Sequence, residues 1–218
     1  MESPSPETGR RERKRHHTMD HLAATAFRLF EAHGYDAVTM ESVASHADVA
    51  KGTLYNHFPV KEALLAHQFH AELAAGLEAL REAIAAQSGF AARLRYLLAA
   101  SAQWCEGRRD YLPHYLQFRL AGPDAAARYR GDRGASSGID RAFGALIRSG
   151  LEDGSLRPGQ DADRLTAFLQ HLHLGALMHW LATPGLDLRA EFDAMVDFFL
   201  AGASSGGADA ARRRGNGQ

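Results

Sequence analysis

Residues 39–61, TMESVASHADVAKGTLYNHFPVK, leave the chain few choices of fold. Thr39 can cap a helix whose apolar positions Met40, Val43, Ala44 and Ala47 share one stripe. Ser42 stands three residues after Thr39 where Glu or Gln would complete a capping box, so the expected cap is incomplete; Glu41, one step earlier, still suits the first turn. Asp48 and Val49 break the pattern, and Asp tolerates the left-handed backbone that a tight turn uses. A second helix follows from about Ala50 to His57, with Leu54 and Phe58, four residues apart, as its buried anchors. Lys51, Gly52, Thr53, Tyr55, Asn56 and His57 are then candidates for an exposed face. Glycine is costly in a helix unless something must approach closely. A cation, hydroxyls and an amide around such a gap suit the edge of a DNA duplex, with Lys51, Thr53 and Asn56 the candidates for base edges.

The stretch VASHADVAKGTLYNHFPVKEAL resembles the helix-turn-helix of the TetR family of transcriptional regulators, whose usual form runs close to A-x-x-A-G-V-S-x-G-T-L-Y-x-H-F-x-S-K-E-x-L. The specific part of the likeness covers about residues 18–65. Three positions depart from the form: Asp48 where Gly is common, Ala50 where a hydroxyl residue often caps the second helix, and Val60 where a cap residue often begins the next. The resemblance implies an all-α fold, with an N-terminal three-helix helix-turn-helix domain joined by a long helix to a C-terminal helical bundle that dimerises. By the same resemblance Thr39, Tyr55, His57 and Lys61 hold phosphates, while Gly52 lets the backbone close in. The implied partners are a second copy of the chain, double-stranded DNA with a palindromic operator, and a small-molecule effector that releases the DNA. No cofactor is implied.

The rest of the chain reads as helical segments separated by Gly, Pro and Ser. The expected division is a disordered lead and basic arm (1–15), a DNA-binding domain (16–62), a ligand-binding and dimerisation domain (63–203) and a disordered tail (204–218). Within the lead, RRERKR at 10–15 carries five positive charges and one negative; it is either a solvated start to the first helix or an arm lying on a DNA groove, and the arm is the reading taken. A first helix is predicted over Thr18–His33, ended by Gly34. From Lys61 to about Gln87 the residues Leu65, Phe69, Leu73, Leu77, Leu80 and Ile84 predict one long helix with a single buried stripe. Residues 121–138 read as a loop with at most one helical turn. Stripes over 162–182 and 188–201 are wide enough to serve both a core and a partner. Aromatic density in the second domain is either core or the lining of an effector pocket; Trp104, Tyr115, Phe118, Phe143, His173 and Trp180 are the candidates for such a lining.

Composition sets limits on the chemistry. A net charge of −1 over 218 residues excludes a wholly basic coat, though not a local basic surface. Cys105 stands alone, so no intrachain disulfide or cysteine-based metal site forms, as befits a reducing cytoplasm. No apolar run reaches the ~18 residues of a membrane span. His171 and His179 lie eight residues apart on one face, too far for joint ligation, and with His173 they read as core, pocket or interface histidines. No phosphate loop or nucleophile motif points to an enzyme. The alternative function is a DNA-binding regulator whose second domain only dimerises or docks a protein.

Overall fold

The computed structural model describes residues 6–120 and 138–203 and, among them, nine α-helices. The expectations for residues 1–5, the loop from 121 and the tail from 204 lie outside the described residues. Helix α1 (Pro6–His33) begins twelve residues before the predicted start. The apolar pattern opens only at Met19, but Pro suits a first helical turn, and Glu, Arg and Lys extend a helix without needing a core. Residues 10–15 are therefore exposed turns of α1 and not a separate arm. Leu22, Ala23, Ala26, Phe27 and Phe30 form its buried face, and Gly34, at φ 82°, ends it with its amide on the Phe30 carbonyl.

Helix α2 (Met40–His46) is better capped than its sequence suggests. Thr39 Oγ1 accepts the Ser42 amide at 3.1 Å and Ser42 Oγ accepts the Thr39 amide at 3.2 Å, so a serine completes the reciprocal box expected of Glu or Gln. Asp48 turns the chain at φ 53°, the left-handed conformation anticipated for it, and the Val49 amide returns to the Ala44 carbonyl. Helix α3 (Lys51–His57) follows with no side-chain cap from Ala50, and Leu54 and Phe58 are fully buried beneath it. Helix α4 (Lys61–Ala85) buries Ala63, Leu64, Leu65, Ala66 and Phe69 in its first turns. The predicted stripe does not stay buried: Leu73, Leu77, Leu80 and Ile84 are each half-exposed.

The chain divides into two units. One holds residues up to Glu72 together with a segment from Asp110 that carries α6 (Leu112–Leu120); the other holds Leu73–Arg109 and the chain from Ser136 onward. The expected boundary at 62/63 thus falls ten residues early, and α6 goes with the N-terminal unit. Its side chains explain why: Tyr111 meets Phe27 at 5.4 Å, His114 stacks on Tyr35 at 4.0 Å, and Tyr115 meets Phe69 at 5.3 Å, with its hydroxyl 3.0 Å from His70 Nε2.

The second unit is a bundle of the C-terminal part of α4 with α5 (Gly89–Glu106), α7 (Gly138–Glu152), α8 (Ala162–Ala182) and α9 (Leu188–Ala203). Phe90, Leu94, Phe143, Ile147, Leu169, Phe192 and Val196 fill its core. Gly150 permits close packing there, since a Cβ would meet the Phe90 ring at 2.7 Å. Arg95 on α5 reaches both Asp193 and Asp197 on α9, and the Asp161 carboxylate caps α8 by accepting the amides of Asp163 and Arg164.

Candidate nucleic-acid interface

Burying Leu54 and Phe58 turns the opposite side of α3 outward. Lys51, Gly52, Thr53, Tyr55 and Asn56 are exposed there, and His57 is half-buried at the end of the helix. The space a Cβ on Gly52 would occupy is empty to 4 Å, so nothing within the protein explains the glycine. Its cost is intelligible if another backbone comes close from outside.

Sequence reasoning misses Glu41, which sits among these residues. Its carboxylate accepts the Tyr55 hydroxyl at 3.3 Å and lies 3.9 Å from Lys51 Nζ, tying two successive turns of α3 to α2. The i,i+4 spacing of Lys51 and Tyr55 is legible in the sequence; that a carboxylate on another helix bridges them depends on the angle at the turn, which no spacing rule reports. Glu41 also raises the Tyr55 pKa, after the larger effect of partial desolvation.

Lys61, expected to hold a phosphate, is largely engaged inside the protein. Its ammonium donates to the carbonyls of Tyr35 at 2.6 Å and Val38 at 3.1 Å, and lies 4.1 Å from the centre of the Tyr35 ring. It clamps the loop between α1 and α2, with one of its three donors left for any further partner. Burial first and the Glu62 carboxylate second push the Tyr35 phenol above its ordinary range, keeping it protonated. Thr39 spends its oxygen as an acceptor in the capping box and keeps an exposed hydroxyl. The His57 pKa is lowered by burial and then by the positive charge of Arg15, which marks the basic turns of α1 as electrostatic neighbours of the reading helix.

The expected effector-lining residues are divided. Tyr115 and Phe118 lie on α6 in the first unit; Trp104, Phe143, His173 and Trp180 lie in the second. Phe143, His173 and Trp180 are buried, with His173 5.4 Å from the Phe143 ring and stacked at 4.9 Å on Phe192. Arg109 covers Trp180 at 4.2 Å. None of the six lines either of two clefts in the second unit. One, of about 360 Å³, lies among α4, α5 and α7 and is lined by Leu77, Ile84, Leu97 and Leu146 together with Arg141 and with Arg81, whose guanidinium lies 3.4 Å from the Glu78 carboxylate, also in the lining. The other, of about 930 Å³, runs between α8 and α9 past Phe168 and Phe198. Among the described residues no helix is long and apolar enough to cross a membrane, and no group of three His, Cys, Asp or Glu could hold a metal ion.

Comparison with known proteins gives this geometry a context. Residues 22–67, which span α2, α3 and every residue of the exposed face, match the family model for bacterial regulatory proteins of the tetR family. The chain carries a TetR-family DNA-binding domain. Its fold beyond that domain is also a TetR-family fold: the Thermus thermophilus FadR repressor, solved with lauroyl-CoA, aligns with a TM-score of 0.72 at 26% identity, over 84% of this chain and 94% of FadR. FadR of Bacillus subtilis, solved with stearoyl-CoA, shares the fold at a TM-score of 0.64 and 17% identity, over 84% and 97% of the two chains. The HTH-type transcriptional repressor KstR of Mycobacterium tuberculosis is 28% identical over 149 residues, 68% of this chain and 64% of KstR, so the match spans less than two thirds of that relative. Every residue of the set from Thr39 to Lys61 lies inside the matched segment.

Proposed function

We propose that this protein is a transcriptional repressor that binds an inverted-repeat operator as a homodimer and lets go when a small molecule occupies its C-terminal domain. The observation that carries the reading is the outward face of α3, where Lys51, Thr53, Tyr55 and Asn56 surround an open glycine with no structural reason of its own. Lys51, Thr53 and Asn56 address base edges, while Thr39, Tyr55, His57 and the remaining Lys61 donor address phosphates. Helices this short read DNA in pairs, in major grooves one or more helical turns, about 34 Å, apart. The second copy is supported by an apolar outer face on α8 and α9: Phe168, Met178 and Phe198 are 57%, 49% and 72% exposed, with Gly175, Ala182, Ala194 and Ala201 exposed around them.

For the effector we propose an amphipathic anion of the fatty acyl-CoA type. Thermus thermophilus FadR was solved with lauroyl-CoA, and the cleft over Leu77, Ile84, Leu97 and Leu146 suits an alkyl chain, with two cations, Arg81 and Arg141, against one carboxylate, Glu78, in its lining to meet an anionic group. Coupling then amounts to the difference in the effector's affinity for the DNA-competent and DNA-incompetent states, typically ~1–3 kcal/mol. Selection from a random duplex library tests the DNA reading, and an inverted repeat is the expected product. Titrating the complex with acyl-CoA of increasing chain length, with free CoA as control, tests the effector; release by none of them leaves the DNA reading intact and removes the acyl-CoA class.

A further inference from the structure

The carboxylate at the centre of the reading face calls for a reason. Glu41 is 49% exposed and its partner Lys51 is 66% exposed, and an ion pair that open to water adds little to stability. A negative charge facing a polyanion also opposes binding. Yet this carboxylate engages both the cation and the hydroxyl that α3 offers to DNA, at 3.9 and 3.3 Å. We propose that Glu41 is a specificity-determining residue: a carboxylate clamp that positions Lys51 and Tyr55 and neutralises Lys51 until an operator replaces its interactions.

The inference rests on the DNA-reading function proposed above and deepens it. Lys51, unpaired, would be drawn to any phosphate, because that attraction carries no sequence information. Paired with Glu41 it gains little from a random duplex, since one phosphate merely replaces the carboxylate. An operator that offers Lys51 a base edge, with a phosphate in register to accept from Tyr55, returns what the clamp withholds, so discrimination arises by weakening the wrong complexes more than the right one. Tyr55, held by the same oxygen, is presented in one orientation.

Replacement of Glu41 by Gln removes the charge and retains an oxygen able to accept the Tyr55 hydroxyl. Binding of wild type and Glu41→Gln is measured on the selected operator and on a random duplex of equal length, across a salt series. The variant is expected to gain about three- to ten-fold on random duplex and less than about two-fold on operator, and its log–log salt slope on random duplex should steepen by about 0.9, the value for one more neutralised phosphate. In a Lys51→Met background the same replacement should lose most of its effect, because there is no cation left to release. Equal shifts on both duplexes, or an undiminished effect without Lys51, would make Glu41 a passive acidic neighbour and overturn the proposal. A wild-type protein that selects no motif at all would instead remove the DNA-reading function beneath it.

Discussion

Gly52 is where stability and binding part company. Its backbone is not left-handed and the space around its missing Cβ is open, so Ala is sterically harmless in the free protein. Gly52→Ala should stabilise α3 by roughly 0.5–1 kcal/mol, the ordinary gain in helix propensity, seen as a higher melting temperature. If the glycine admits a DNA backbone, the same methyl should weaken operator binding by about tenfold or more, a ~1.4 kcal/mol penalty for holding the two backbones apart. A stabler protein with unchanged affinity would mean that nothing approaches there. His57 carries the second residue-level expectation. Burial, and then Arg15, hold its pKa below the usual value, so on acidification the unfolded chain takes up this proton before the folded one. Its contribution to stability is therefore complete above about pH 6.5 and is lost as pH falls through the lower folded value. NMR titration of the ring should show that depressed pKa, and Arg15→Gln should move it upward; an Arg15→Gln titration identical to wild type would show that burial alone sets it.

At the scale of elements, α1 decides what the basic run is for. Residues 10–15 form exposed helical turns, and the charge of Arg15 is felt at His57, so the run can lie against phosphates without being a flexible arm. Replacing Arg10, Arg11, Arg13 and Lys14 by Gln should weaken operator and random duplex by the same factor and flatten the salt slope by about 0.9 for each phosphate that is no longer neutralised. An unaltered slope would return the run to a solvated helix start. The same helix marks the limit of sequence reading. Apolar spacing locates α2, α3 and the buried face of α1, because a buried stripe leaves a periodic signature; the first twelve residues of α1 rest on propensity alone and leave none. Similarly, Ser42 fills a capping position by a reciprocal hydroxyl bond that the usual residue rule assigns to Glu or Gln. The exposed face of α3 is legible because the two buried anchors Leu54 and Phe58 settle the rotation of so short a helix. The effector site is not, because which of Trp104, Phe143, His173 or Trp180 meets a cavity depends on helix rotation and bend across a whole bundle.

At the scale of the molecule, the outer face of α8 and α9 separates two stripes that the sequence shows as one. Leu165, Leu169, Leu177 and Trp180 turn inward, whereas Phe168 and Met178 stay outside with Phe198 of α9. Large side chains so exposed on adjoining helices are costly for an isolated monomer, and a face rich in Gly and Ala between them lets a second pair of helices pack closely. Phe198 is the most exposed of the three and contributes little to the fold of its own chain, whereas the neighbouring Asp197 is already engaged by Arg95. Phe198→Glu should thus leave the helical circular dichroism unchanged and halve the mass measured by sedimentation at micromolar concentration. In the homodimer proposed above, the charge would enter an apolar self-complementary interface from both copies at once. Operator affinity should then fall by about 10²–10⁴-fold, since the second half-site is no longer bound at high effective concentration, while half-site affinity stays the same. An unchanged mass would mean that this face serves a different partner. A monomer that still held the full operator at wild-type affinity would show that pairing of the two reading helices is not what makes the site an inverted repeat.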